Sequence, residues 1–96
     1  MTKLQKEVTT GTDSKEDLLL TLKPASKGSG ISVSISGKGA VQFSEEIEAT
    51  VRQVLEEMGV TDASVEIVDY WAFDFTIRAR TKAAVLHATG RDEVVT

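Results

Sequence analysis

Ser14 stands alone as a serine in a run of charges, Gly11-Thr12-Asp13-Ser14-Lys15-Glu16-Asp17. A hydroxyl in such a setting has two chemical uses. It attacks a substrate itself if a base lies against it, or it receives a covalent group from a separate enzyme. His87 is the only histidine, so a Ser-His-acid arrangement would have to bring these two together. No nucleophile-elbow motif surrounds Ser14, and Leu86 and Ala88 beside His87 give that histidine no distinguishing context. Placed toward the end of a helix, His87 reads first as a favourable partner for the helix dipole. Ser14 also has a plain reading as a linker hydroxyl. What the context adds is exposure, chain freedom at Gly11, and attachment to a strand, which together suit a modification site.

The remaining candidates are bland. The acidic pairs Glu45-Glu46 and Glu56-Glu57 lie on an expected helix, where adjacent residues diverge by about 100°. They read as solvated helix faces, so no metal is expected. Lys27-Gly28-Ser29-Gly30 and Gly37-Lys38-Gly39 match neither phosphate-binding pattern and read as turns. Tyr70 and Trp71 have two open readings, as a cover for the edge of the core or as an anchor for a partner.

Composition narrows the function classes. With 96 residues the chain makes one domain, and 41% hydrophobic with 27% charged residues marks it as globular. Fifteen acids against eleven bases leave a net charge of −4, which disfavours nucleic acid and anionic membranes. The absence of cysteine excludes disulfides, thiolate nucleophiles and cysteine zinc sites. No apolar run approaches the ~20 residues of a membrane span, and the N-terminus has no signal-peptide pattern. A cytoplasmic location is expected, with no membrane, nucleic-acid or metal partner.

These candidates need elements to position them. Residues 1–10 carry little apolar content, so residues 1–16 are expected to be a flexible tether. Residues 17–90 form the single domain, and 91–96 a frayed tail. A first strand runs from Asp17 to Lys23, with Leu18, Leu20 and Leu22 on one face and Pro24 ending it. Ile31 to Ser36 alternates strictly between aliphatics and serines, the pattern of a half-buried strand. Ser44 is the expected N-cap of a helix whose Ile47, Val51, Val54, Leu55 and Met58 make one apolar stripe, closed by Gly59. Ser64–Tyr70 and Trp71–Ala79 read as third and fourth strands joined by a tight hairpin near Asp69–Ala72. Arg80–Thr89 reads as a second helix stopping at Gly90. The expected fold is α+β, a two-layer sandwich of ββαββα order. It has a four-stranded, mainly antiparallel sheet with two helices on one face.

One stretch is more specific than any of this. Ala72-Phe73-Asp74-Phe75-Thr76-Ile77-Arg78-Ala79-Arg80-Thr81-Lys82-Ala83-Ala84-Val85-Leu86 resembles the C-terminal signature of the citrate lyase acyl carrier family, the gamma subunit. There an Ala-Leu-Asp-Cys-Thr-Leu-Arg-Ala-Arg-like run leads into an alanine-rich helix. The start agrees too, since Gly11-Thr12 leads through a serine to Asp17 and a strand ending at Pro24. The family tether reads roughly Gly-Thr-Leu-Glu-Ser-Ser/Gly-Asp, with its serine two residues before the aspartate. Here Ser14 is three before Asp17, and an ungapped match places Lys15 at the family serine. Phe75 replaces a usual cysteine and Trp71 a usual glycine, both read as structural.

The resemblance implies a non-catalytic carrier. In the family a tether serine, here Ser14, is joined by a phosphodiester to 2'-(5''-phosphoribosyl)-3'-dephospho-CoA. The arm's thiol holds an acetyl thioester, which the alpha (transferase) subunit exchanges for citrate. The beta (lyase) subunit cleaves the citryl thioester to oxaloacetate and the acetylated carrier. A prosthetic-group transferase attaches the arm, so Ser14 needs no base of its own. The alternatives are the related carrier of malonate decarboxylase, an unmodified interaction module acting through Tyr70 and Trp71, and a small hydrolase built on Ser14 and His87.

Overall fold

A computed structural model describes residues 2–90; the expectation of a frayed 91–96 tail lies outside the described residues. Among the described residues four strands and two helices follow in the order β1 (Val8–Gly11), β2 (Asp17–Pro24), β3 (Ile31–Gly37), α1 (Ala40–Glu57), β4 (Ala63–Tyr70) and α2 (Asp74–Ala88). The sheet order is β1-β2-β4-β3. β1 with β2 and β2 with β4 are antiparallel, and β3 with β4 is parallel across the α1 crossover. The α+β sandwich with a mainly antiparallel four-stranded sheet is as expected.

The identity of one strand is not. Residues 71–79 are no strand and form no hairpin with β4: after a short connection, α2 begins at Asp74. The alternation of Phe73, Phe75 and Ile77 suggests a period of two, but Phe73 and Phe75 are exposed. The buried set is Ile77, Thr81, Ala84, Val85 and Ala88, which follows the helical period. Asp74 in the first turn meets the positive end of the dipole and accepts from Arg78 one turn on at 2.8 Å.

The vacant place in the sheet is taken by β1, so residues 2–11 are no flexible tether. Val8 pairs with Leu22 and Gly11 with Leu19. Ahead of β1, Leu4 is buried in the core, Thr2 N donates to Gly59 O at 2.9 Å, and Gln5 N donates to Ala88 O at 2.7 Å. Two apolar residues suffice because the chain pairs through its backbone and needs no apolar face of its own.

The core lies between the sheet and both helices. Leu18, Leu20 and Leu22 of β2 and Val65 and Ile67 of β4 point into it, against Ile47, Val51 and Leu55 of α1 and Val85 of α2. α2 lies over β1 and β2 and α1 over β3. The opposite sheet face carries Ser32, Ser34 and Glu66 in solvent. α1 starts at Ala40, four residues before Ser44, with Gly39 in the cap position and a non-helical kink at Phe43. Its far end closes at Gly59 (φ 79°), as the sequence implies.

Candidate functional site

The loop between β1 and β2 holds Ser14. Residues 12–16 are all exposed, yet the loop is tightly shaped. Asp17 N donates to Ser14 O at 3.1 Å and Thr12 N to Leu18 O at 3.1 Å. Ser14 N donates to Thr12 Oγ1 at 3.2 Å, and Thr12 Oγ1 donates to Asp17 Oδ2 at 2.6 Å. The Ser14 hydroxyl itself makes no hydrogen bond among the described residues. Gly11 has φ 93°, and a Cβ there would stand 1.8 Å from Leu18 O. Only glycine lets the two strands close at this point.

Asp17 anchors the loop to the other end of the chain. Arg80 of α2 grips it with both prongs of its guanidinium, Nη2 to Oδ2 at 2.7 Å and Nε to Oδ1 at 3.1 Å. Leu18 N also donates to Oδ1, at 2.7 Å. The Arg80 hydrogen bond, opposed by burial and assisted by Thr12 and Leu18, holds the Asp17 carboxyl at about 2, below its usual 3.8. Arg80 also receives β1, since Thr10 Oγ1 donates to its carbonyl at 2.9 Å. Neither Asp17 nor Arg80 stands out as a site residue in the sequence. The signal available is an aspartate opening an apolar strand, which on burial requires a cation.

The same end of the sheet holds the connection between β4 and α2. Glu16 N donates to Tyr70 O at 2.7 Å, joining the two loops. Asp69, buried at the end of β4, accepts from Trp71 N at 3.2 Å and Ala72 N at 3.1 Å. Gly39 lets α1 approach this carboxylate, since a Cβ there would meet Asp69 Oδ2 at 1.9 Å. Trp71 has φ 67°, the left-handed region. Its ring meets Phe43 edge-on at 6.0 Å, and Phe73 stacks on Phe75 at 5.5 Å between centroids. Trp71 is 42% and Phe75 72% exposed, so neither stands in for a core residue.

The other sequence candidates separate. His87 is exposed on α2, seven residues past Arg80 or about 10 Å of helix rise, and lines a cavity with Thr10 and Arg80 that excludes Ser14. Ser14 and His87 are thus not assembled into a catalytic pair. The glycine-rich turn at 28–30 is filled by the chain itself, Asp62 Oδ1 accepting from Gly28 N at 3.0 Å and Gly30 N at 2.8 Å. Those two amides lower the Asp62 carboxyl below its usual range. Among the described residues no cluster of three or more acidic or histidine side chains could hold a metal ion. No helix among them is long and apolar enough to cross a membrane.

Comparison with known proteins agrees with this architecture. Residues 5–88 match the family model described as ACP: Malonate decarboxylase delta subunit (MdcD). The chain is 42% identical over 78 residues to the citrate lyase acyl carrier protein of Fusobacterium nucleatum subsp. nucleatum, covering 81% of this chain and 82% of that one. It is 38% identical over 93 residues to the citrate lyase acyl carrier protein of Haemophilus influenzae (strain PittGG), covering 97% and 93%. The chain belongs to the citrate lyase acyl carrier family. A chain in the crystal structure of a Pseudomonas malonate decarboxylase hetero-tetramer in complex with malonate shares the carrier fold, with a TM-score of 0.61 at 20% identity. The match covers 90% of this carrier and 87% of that chain.

Proposed function

We propose that this carrier is the acyl carrier subunit of a citrate lyase complex, with Ser14 bearing a phosphoribosyl-dephospho-CoA arm. The observation that carries the reading is an exposed, unengaged Ser14 hydroxyl on a loop tied to α2 through Asp17 and Arg80. The residues fit such a group. Ser14 can form the phosphodiester, and the neighbouring Lys15 ammonium favours its negative charge. When bound, the arm supplies a terminal thiol that holds an acyl group as a thioester. The chain's own tasks are different in kind. Gly11, Thr12, Asp17 and Arg80 fix where the serine stands, and the rest of the domain offers a surface to partners. A tethered acyl group meets each active site at an effective concentration of roughly millimolar. The carrier therefore needs neither a base nor a metal, and its partners are the alpha and beta subunits and a prosthetic-group transferase in the cytoplasm.

A second reading, the carrier of a malonate decarboxylase, is favoured by the description of the matching family model. The citrate reading is supported by the names of relatives at 31–42% identity. Intact mass after incubation with the transferase and its nucleotide substrate tests the attachment. A mass increase of one arm is expected in the wild type and none in Ser14→Ala. An unchanged wild-type mass, with a known carrier modified alongside, would leave an unmodified interaction module. Reconstitution of the loaded carrier with citrate lyase alpha and beta subunits then separates the pathways, and citrate cleavage is expected.

A further inference from the structure

The carrier reading leaves one built feature unused, the groove beside the Ser14 loop. Lys15 and Glu16 from that loop, Phe43 from α1, and Trp71, Phe73 and Asp74 beyond β4 line a space of about 430 Å³. That volume suits a small organic ligand. The walls are aromatic, and the rings are open to solvent: Phe43 is 40% and Phe73 50% exposed. Trp71 holds its ring there from the left-handed region that favours glycine, as does Glu16 in the same groove, both at φ 67°. The connection itself is fixed by Asp69 through the Trp71 and Ala72 backbone amides, so its shape does not depend on hydrogen bonds from the indole.

We infer that this groove seats the purine base of the nucleotide arm carried on Ser14. The inference rests on the carrier reading. The groove begins at Lys15, the residue next to the attachment point, so the near, nucleotide half of the arm reaches it first. Aromatic side chains hold nucleobases by stacking without regard to sequence. The carboxylates at the rim also choose among groups. Asp69 is engaged by the Trp71 and Ala72 amides and Asp74 by Arg78 and Thr50, which leaves the exposed Glu16. Glu16 accepts from an exocyclic amine and repels a phosphate, so a base enters and the phosphodiester stays by Lys15. The nucleotide half is then parked on the carrier, and only the thiol-bearing half swings between active sites.

Trp71 is the only tryptophan, so its emission reports on the groove. The apo chain is compared with the chain loaded by the transferase and verified by mass, once with a free thiol and once acetylated. A stacked purine is expected to reduce Trp71 emission at least twofold, equally in both loaded forms, and to shift the amide resonances of Phe43, Ala72 and Phe73. Phe43→Ala and Phe73→Ala remove exposed rings; once loading is verified by mass, each should recover most of the emission lost relative to its own apo form. A mass-verified loaded chain with unchanged emission, and resonance shifts confined to residues 12–16, would overturn the inference and leave the carrier reading standing. Emission that changes on acetylation would place the thiol end in the groove and overturn it equally. A chain that never gains mass removes the carrier reading and this inference with it.

Discussion

Asp17 concentrates more of the site's physics than Ser14 does. Its carboxylate is buried and receives Arg80, Thr12 and Leu18, so removing the cation strands a charge. Arg80→Met is expected to cost about 1.5–3 kcal/mol, read from urea denaturation at neutral pH. The pH dependence has a definite sign. The folded pKa lies below the unfolded value, so the stabilisation is complete above about pH 4 and is lost as pH falls toward about 2. Wild-type stability should fall through that window, and Arg80→Met should lose less there. Trp71 gives the opposite case. Trp71→Gly relieves a left-handed backbone (φ 67°) while giving up the Phe43 contact. Its stability is expected to stay within about 1 kcal/mol of wild type, against the ~3–5 kcal/mol of a core aromatic truncation. A loss in that larger range would make the indole a structural residue.

At the level of elements, the strands and α1 were legible because their faces are one-sided. Leu18-Leu20-Leu22 and Ile31-Val33-Ile35 alternate, and Ile47-Val51-Val54-Leu55 repeat with the turn of a helix. Two elements were not. Phe73 and Phe75 imitate a strand face because large apolar side chains are read as buried, whereas here they line a surface. β1 has almost no apolar signal, since an edge strand is held by its neighbour's backbone and exists only once β2 is in place. The site divides the same way. Ser14 was legible as an exposed hydroxyl, but the Arg80 fork and the Asp69 amide clamp join residues distant in sequence and leave no local pattern. The docking of the first residues has measurable consequences. Leu4→Ala is expected to cost about 2 kcal/mol, and a chain lacking residues 1–11 should expose the β2 edge and associate. Sedimentation of that truncated chain as a stable monomer would count against β1 as a necessary edge.

Across the whole molecule, rigidity is graded from the sheet centre outward. β2 and β4 each have strands on both sides, whereas β1 and β3 are edges. Amides of Leu20 and Ile67 should exchange with solvent slowest, those of Thr9 and Ser34 faster, and the loop amides of Asp13 and Lys15 fastest. Hydrogen exchange followed by NMR checks the order. A loop as protected as the edge strands would mean that it is part of the core and not a presented surface. The two ends of the sheet also differ in use. The end with Gly28 and Gly30 is sealed by Asp62, while the end with Ser14 gathers the exposed aromatic rings.

The Arg80 fork also carries a consequence for biogenesis. It closes a circuit of 63 residues, from the loop between β1 and β2 to α2. During synthesis the serine loop emerges 63 residues ahead of the arginine that anchors it, so its shape waits on α2. A modifying enzyme that recognises the loop's shape, and not merely its residues, would thereby act on completed domains and pass over nascent ones. The ion pair would then mark a folded domain, written by α2 on the loop between β1 and β2.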